Sequence, residues 1–248
     1  MFLPAADSFS ATNRLDIVID VQKGGKIDPT LFGIATPEFN ACDINDQTFM
    51  DLAIPLNFKV IRYPPGFMGN LYHWKDKGYG FKENEFELIG GDTRVTLGRF
   101  YKFYKEKETK AAYTDTFINF LESSGAKALL IANIYTGSKE ELVELIDYMK
   151  DNCIELAGIE LGNELYLESY RGGIDGVKTY IERAKGFAKA IKAKYPDLKI
   201  AVIAAPSGLE RQTGILRLRY FEEWNRLLSK EDFYDSYVVH IYKSLDEC

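Results

Sequence analysis

The chain has 248 residues, of which 46% are hydrophobic and 27% charged, an ordinary globular composition that fits one large domain or two small ones. Its formal net charge of -6 argues against general nucleic-acid binding, which requires a basic surface. No apolar run approaches the roughly 20 residues that cross a bilayer, so we predict no membrane association. Three widely spaced cysteines do not indicate a disulfide framework.

Residues 1–26 are predicted to be a separate N-terminal segment that contains one strand. Apolar and mostly polar residues alternate over 15–21, the period of two that is typical of a half-buried strand. The first 13 residues lack a basic start followed by an apolar core, so they are not an intact secretory signal. A chain whose signal has been removed would have the same pattern, and the sequence therefore leaves a secreted, a periplasmic and a cytoplasmic location open.

From residue 27 onward, short apolar runs alternate with amphipathic segments. Strands are predicted over 31–35, 58–63, 128–134, 156–161, 199–205 and 237–242. Helices are predicted over 45–56, 117–125, 138–149, 177–194 and 218–229. Residues 75–112 fit neither pattern, and they are interpreted either as an insertion that shapes a binding site or as a solvated excursion.

The alternation of strand and helix predicts the fold class, an α/β protein with a parallel sheet covered by helices. About six β/α units are present, whereas a complete (β/α)8 TIM-type barrel has eight units and about 250 residues. We therefore expect residues 27–248 to form an incomplete barrel that stops after strand 6. Its two open edges predict self-association unless another chain covers them.

The polar residues after the predicted strand 156–161 are the clearest functional signal in the chain. Asn163 and Glu164 directly follow this apolar run. In a barrel of parallel strands, the catalytic groups lie at the carboxyl ends of the strands. An amide and a carboxyl group at this position therefore indicate an active site, with helix capping by Glu164 as the simpler alternative.

The segment from Gly162 to Glu164 resembles the acid/base segment of retaining glycoside hydrolases of clan A, in which an Asn-Glu pair closes barrel strand 4. Other segments resemble family 51 α-L-arabinofuranosidases of that clan: Ile27 to Gly33, Arg62 to Gly66 with Asn70, Tyr72 and Trp74 beyond it, Asn133 to Glu141, and Val239 to Tyr242. Pro65 departs from the family, which usually has Gly there. The resemblance implies an accessory β-sandwich that contains the N-terminal strand, a catalytic domain over 27–248, and an oligosaccharide or polysaccharide substrate.

The resemblance also implies roles for individual residues. Glu164 would be the general acid and then the base, and Asn163 would contact the sugar 2-hydroxyl. The supporting residues would be Arg62 and Tyr242 on the nucleophile, His240 on the sugar or on Glu164, and Asn133 and Glu38 on the sugar. Glu38 lies one residue further from Gly33 than its counterpart in the family. For Arg62 the simpler interpretation is a structural salt bridge, and for His240 a satisfied histidine in the barrel wall.

The nucleophile of the family stands at the tip of strand 7, which is not predicted here, and Glu247 is not assigned to that role. We therefore expect this chain to hydrolyse sugars little or not at all. Two alternatives remain: a sugar-binding or structural barrel without catalysis, and a hydrolase of uronic-acid glycans. The second is suggested by arginines, which suit carboxylates, at positions 171, 211, 217 and 219.

Other chemistries find little support in the sequence. No glycine-rich phosphate-binding loop and no Gly-x-Ser-x-Gly elbow is present. The two histidines, His73 and His240, are far apart in the sequence, so they do not predict a zinc site. We therefore predict neither a cofactor nor a metal.

Overall fold

A computed structural model describes residues 28–37, 44–90, 101–102, 113–206 and 215–241. Six strands form one sheet in sequence order, and every neighbouring pair is parallel. The strands are β1 (Gly33–Ala35), β2 (Val60–Tyr63), β3 (Lys127–Ala132), β4 (Leu156–Leu161), β5 (Ile200–Ala204) and β6 (Ser236–Val239). The predicted N-terminal segment 1–26 lies outside the described residues.

Within the described ranges, an α-helix with defined bounds follows each of the strands β1 to β5. The helices are α1 (Gln47–Ala53), α2 (Tyr113–Ser124), α3 (Lys139–Asp151), α4 (Val177–Lys194) and α5 (Ile215–Leu228). Short 3-10 helices span Pro29–Leu31, Ile54–Leu56, Gly66–Asn70, Glu83–Leu88 and Glu168–Tyr170. The sheet curls into a half-barrel, which confirms the predicted alternation and the parallel sheet. Among the described helices, none combines the length and apolar character needed to span a membrane.

Local signals in the sequence explain where these helices begin and end. The Ser138 hydroxyl accepts a hydrogen bond from the Glu141 backbone N–H at 3.0 Å and caps α3, as expected of a capping box. Helix α2 ends before Gly125, whose φ of +66° is a left-handed conformation that a glycine adopts without steric cost. The start of α3 and the end of α2 therefore follow from the residue types found within a few positions of each end.

The core lies between the sheet and the helices, and aromatic side chains connect the strands within it. The Tyr180 hydroxyl on α4 donates to the Leu161 carbonyl at 3.0 Å and accepts from the Ile203 N–H at 3.0 Å. Trp224 on α5 is fully buried and donates from its indole nitrogen to the Ile203 carbonyl at 2.9 Å. These bonds satisfy backbone groups near the carboxyl ends of β4 and β5, and thereby fix that end of the sheet.

The described part of the stretch after β2 is packed rather than solvated. Tyr79, Phe81, Phe86 and Ile89 are all buried in the hydrophobic core. Of the two interpretations given above for residues 75–112, a solvated excursion therefore does not hold for residues 75–90. Its buried aromatic side chains are part of the main hydrophobic core.

Candidate active site

An open cleft of about 570 Å³ lies at the carboxyl ends of β2, β4 and β6. Its polar lining consists of Arg62, Glu160, Asn163, Glu164 and His240. Apolar side chains complete the wall, among them Phe67 and Ile241. Four of the residues that the sequence nominated are thus brought together at one place.

The contacts in this cleft reach across the concave face of the sheet. β3 lies between β2 and β4, and β5 lies between β4 and β6. Even so, Arg62 on β2 contacts Glu160 on β4, and Glu164 after β4 contacts His240 after β6. Alternate strands of a curled parallel sheet contribute side chains to the same interior layer, so the curl itself assembles the site.

Glu164 adopts a strained backbone conformation at the tip of β4. The strand ends at Leu161, and the chain then passes through Gly162 at φ +87° to Glu164 at φ +49°. Residues other than glycine rarely adopt this left-handed conformation, and such backbone strain occurs frequently at functional sites. At Gly162 the left-handed backbone favours glycine, and a Cβ atom there would lie 2.4 Å from the Leu165 Cδ1 atom, so the Leu165 side chain would have to shift.

A hydrogen bond joins the Glu164 carboxyl group to His240. His240 Nδ1 and Glu164 Oε1 are 2.8 Å apart, and each side chain is a little under one-fifth exposed. With an ionised Glu164, the imidazole N–H donates to the carboxylate. With a protonated Glu164, the Nδ1–H tautomer of His240 still donates to Oε1, and the acidic proton lies on Oε2. The pair therefore keeps its hydrogen bond on both sides of a proton transfer.

Arg62 connects Glu160 to Asn163. Its Nε–H donates to Glu160 Oε2 at 2.8 Å, and its Nη2–H donates to Asn163 Oδ1 at 2.9 Å. Burial raises the pKa of Glu160, although the positive charge of Arg62 opposes that effect. Because arginine can only donate, the amide oxygen of Asn163 must face Arg62, and its NH2 group is the part turned elsewhere.

Glu160 was missed at the level of the sequence. It is 2% exposed and occupies the last but one position of the otherwise apolar strand β4. A carboxylate at such a position is rarely buried unless it is paired, and this signal would have marked it. Asn70 was noted only as part of the resemblance, yet it is fully buried and hydrogen-bonds with the Asn163 backbone.

Other nominated residues lie elsewhere or outside the described residues. Asn133 is not among the described residues that line the cleft. Its Oδ1 accepts from the Thr136 N–H at 2.9 Å and its Nδ2 donates to the Tyr72 carbonyl at 3.2 Å, which closes the turn after β3. Glu38 and Tyr242 are outside the described residues, so their roles stay predictions.

Of the four arginines that suggested a uronic-acid substrate, the structure describes the side chains of Arg171 and Arg219, and neither lines the cleft. The Arg171 guanidinium is 3.3 Å from Glu168 and 5.1 Å from the ring centre of Tyr220. Arg219 is exposed on α5, while Arg211 and the Arg217 side chain lie outside what the structure describes. Within the described part of the chain, no group of three or more His, Cys, Asp or Glu side chains could hold a metal ion.

A second hollow, of about 710 Å³, lies beside Cys153 and Tyr195 at the amino-terminal ends of β4 and β5. Lys194 at its edge forms an ion pair with Asp147 at 2.6 Å. In parallel β/α barrels, this face serves stability, whereas catalysis takes place at the opposite face. The cleft around Glu164 is therefore the better candidate, in spite of its smaller volume.

The known proteins that this chain resembles are named as arabinofuranosidases. No protein-family model matches the chain. An intracellular exo-α-L-arabinofuranosidase from Bacteroides ovatus is 30% identical over 121 residues, which are 49% of this chain and 19% of that protein. A solved family 51 α-L-arabinofuranosidase from Bifidobacterium longum shares 16% identity at a TM-score of 0.50, and the match covers 80% of this chain and 43% of that one.

A further solved structure, an α-L-arabinofuranosidase from Thermotoga maritima in complex with arabinose, has a TM-score of 0.43 and 18% identity, with 63% of this chain and 33% of that one covered. The chain thus spans 19% of the curated relative and 33–43% of these two solved structures. At 16% identity, the likeness to the Bifidobacterium structure concerns the fold alone.

Proposed function

We propose that this chain carries the acid/base side of a retaining glycoside hydrolase of clan A, similar to the family 51 α-L-arabinofuranosidases. The observation that carries the proposal is the position of Glu164 at the tip of β4, 2.8 Å from His240 and beside the Arg62–Asn163 pair. The Bacteroides ovatus relative, named as an exo-α-L-arabinofuranosidase, supports an arabinofuranosyl substrate.

Each residue has a role in the proposed reaction. Glu164 protonates the glycosidic oxygen as the bond to the sugar breaks, and its carboxylate then takes a proton from the attacking water. The hydrogen bond of His240 to Oε1 directs the proton of Glu164 towards Oε2 and the substrate. Asn163 donates from its amide NH2 group to the sugar 2-hydroxyl, because Arg62 holds the amide oxygen.

The proposed mechanism also needs a second carboxyl group about 5–5.5 Å from the acid. Glu160 is unsuitable, because it is 2% exposed and already paired with Arg62. We assign no nucleophile among the described residues.

The test compares Glu164→Gln with the unmodified protein, each produced from the whole reading frame that contains this chain, on a panel of aryl glycosides that includes arabinofuranosides. For leaving groups that need protonation, we expect kcat/KM to fall by about 10²–10⁴. Nitrophenyl leaving groups should lose much less, because they depart without a proton. Glu168→Gln, an exposed carboxylate four residues further along, is the matched control and should retain full activity.

Three outcomes decide the matter. Undiminished activity in Glu164→Gln would contradict the assignment of the acid. An equal loss for every leaving group would point to a structural defect in place of a lost acid. Absence of hydrolysis in the unmodified protein, with retained sugar binding that Glu164→Gln weakens, would favour a sugar-binding barrel.

We also propose that a second copy of the chain covers the open edges of the sheet. β1 and β6 each have one paired neighbour in the described sheet, and such edges promote association. The side chains there are exposed and apolar: Leu31, Phe32, Tyr237, Val239 and Ile241.

Sedimentation should show a concentration-dependent oligomer that Val239→Lys weakens and the control Leu88→Lys does not. A monomer at every concentration would contradict this.

A further inference from the structure

Asn70 holds the backbone of the residue before Glu164 by two hydrogen bonds. Its Nδ2 donates to the Asn163 carbonyl at 2.7 Å, and its Oδ1 accepts from the Asn163 backbone N–H at 2.8 Å. Asn70 ends the 3-10 helix Gly66–Asn70 and is fully buried. A single side-chain amide therefore pairs with both the backbone N–H and the backbone carbonyl of Asn163, as a neighbouring strand would do.

The position of this residue explains why it needs such a partner. β4 ends at Leu161, and Asn163 is 3% exposed, so neither its N–H nor its carbonyl can rely on the sheet or on bulk water. The residues on its two sides, Gly162 and Glu164, both have positive φ angles. Glu164 does not favour that conformation by itself, and the surrounding structure must hold it.

Side chain and backbone of Asn163 are held by different residues. Arg62 binds the amide oxygen of the side chain, whereas Asn70 binds only backbone atoms. Since Asn70 is inaccessible to any ligand in the cleft, an effect on the site must pass through the backbone at 163 and 164.

We propose that Asn70 is a positioning residue that fixes the peptide between Asn163 and Glu164 and so aims the Glu164 carboxyl group at His240 and at the cleft. The expected effect of Asn70 on catalysis rests on the proposed function of Glu164. Its structural part, the aim of the side chain, can be measured without any turnover.

The test uses Asn70→Asp in the full-length protein. Aspartate has the size of asparagine and still accepts from the Asn163 N–H, but it places an oxygen against the Asn163 carbonyl. Asn152→Asp is the matched control, because Asn152 also donates from Nδ2 to a backbone carbonyl, that of Tyr148 at 2.8 Å. Asn152 precedes the amino-terminal end of β4, whereas the cleft lies at the carboxyl end.

Two readouts are compared. The first is the ¹⁵N chemical shift of His240 Nδ1, which reports the hydrogen bond to Glu164; Asn70→Asp should move it towards its value in Glu164→Gln, and Asn152→Asp should not. The second is the kinetics. We expect kcat to fall by about 10- to 100-fold in Asn70→Asp with KM changed by less than about 3-fold, because a misplaced acid affects the transition state more than binding.

The outcomes separate this inference from the proposed function. A moved His240 signal in a protein without glycosidase activity would sustain the positioning role and sink the proposed function. An unmoved His240 signal together with unchanged kcat would overturn the positioning role. If Asn70→Asp does not fold, Asn70→Ser, whose hydroxyl both donates and accepts, replaces it and should give an intermediate change in both readouts; no change in that variant would count equally against the inference.

Discussion

His73 and His240 both meet carboxylates, but in opposite surroundings. His73 is 3% exposed, and both of its ring nitrogens are occupied: Nδ1 lies 3.0 Å from Glu141 and Nε2 lies 2.9 Å from Glu85. Burial lowers its pKa, but the hydrogen bonds to Glu141 and Glu85 outweigh burial and raise the pKa to about 9. This cluster connects the segment after β2 to the first turn of α3.

His240 lies at the wall of an open cleft and contacts Glu164, whose backbone is strained. The residue types are the same in the two clusters, and the difference is access. Around His73 the carboxylates and the ring neutralise one another inside the protein. Around His240 the groups face a space of about 570 Å³ that a ligand can enter. Access and strain, more than residue type, therefore distinguish the two clusters.

The largest effect should follow from removal of the buried imidazole. His73→Leu leaves Glu85 buried without its cation, and loss of one partner of a buried pair costs about 3–5 kcal/mol of unfolding free energy. Urea denaturation measures it. The double variant His73→Leu/Glu85→Leu should recover much of that loss, since no lone charge remains at that position. A loss below about 1 kcal/mol would mean that the His73 cluster contributes no more to the unfolding free energy than the Glu164–His240 pair in the cleft does.

The second prediction concerns pH. The pKa of His73 is about 9 in the folded protein and about 6.5 when unfolded, so its stabilisation is complete below pH 6.5 and is lost as the pH rises through 9. We expect the unfolding free energy to fall by about 2 kcal/mol over that interval. The fall is no larger because the Lys82 ammonium, 3.3 Å from Nδ1, disfavours the protonated ring. Denaturation of the His73→Gln variant at several pH values should show a much flatter profile. If the unfolding free energy falls equally steeply with pH in both proteins, His73 is not the group responsible for the pH dependence.

The smallest effect on stability is expected at the cleft. His240→Leu removes one hydrogen bond between two partly exposed side chains, so the unfolding free energy should change by less than about 1 kcal/mol. The same variant should still lower the proposed glycosidase activity. Parallel denaturation and kinetic measurements on one preparation compare the two effects. A loss of stability as large as that of His73→Leu would erase the distinction between the two clusters.

Much of the fold and one corner of the site could be predicted from the sequence. Strand β4 spans Leu156–Leu161 and helix α4 spans Val177–Lys194, as their apolar patterns predicted. The cap at Ser138 was readable in the same way. The polar pair Asn163 and Glu164 was also recognisable as the end of a buried strand. These features depend on periodicity and on contacts within a few residues, which a sequence contains directly.

The tertiary structure alone decided which groups meet. Arg62 and Glu160 are 98 residues apart, and Glu164 and His240 are 76 apart. The sequence indicated that Arg62, Glu164 and His240 serve one site, but their contacts depend on how far the sheet curls across an intervening strand. The two bonds from Asn70 to the Asn163 backbone depend, in the same way, on where a loop 93 residues earlier packs. Local pattern specifies the strands and helices, and only the packed, curved sheet specifies which of their tips come together.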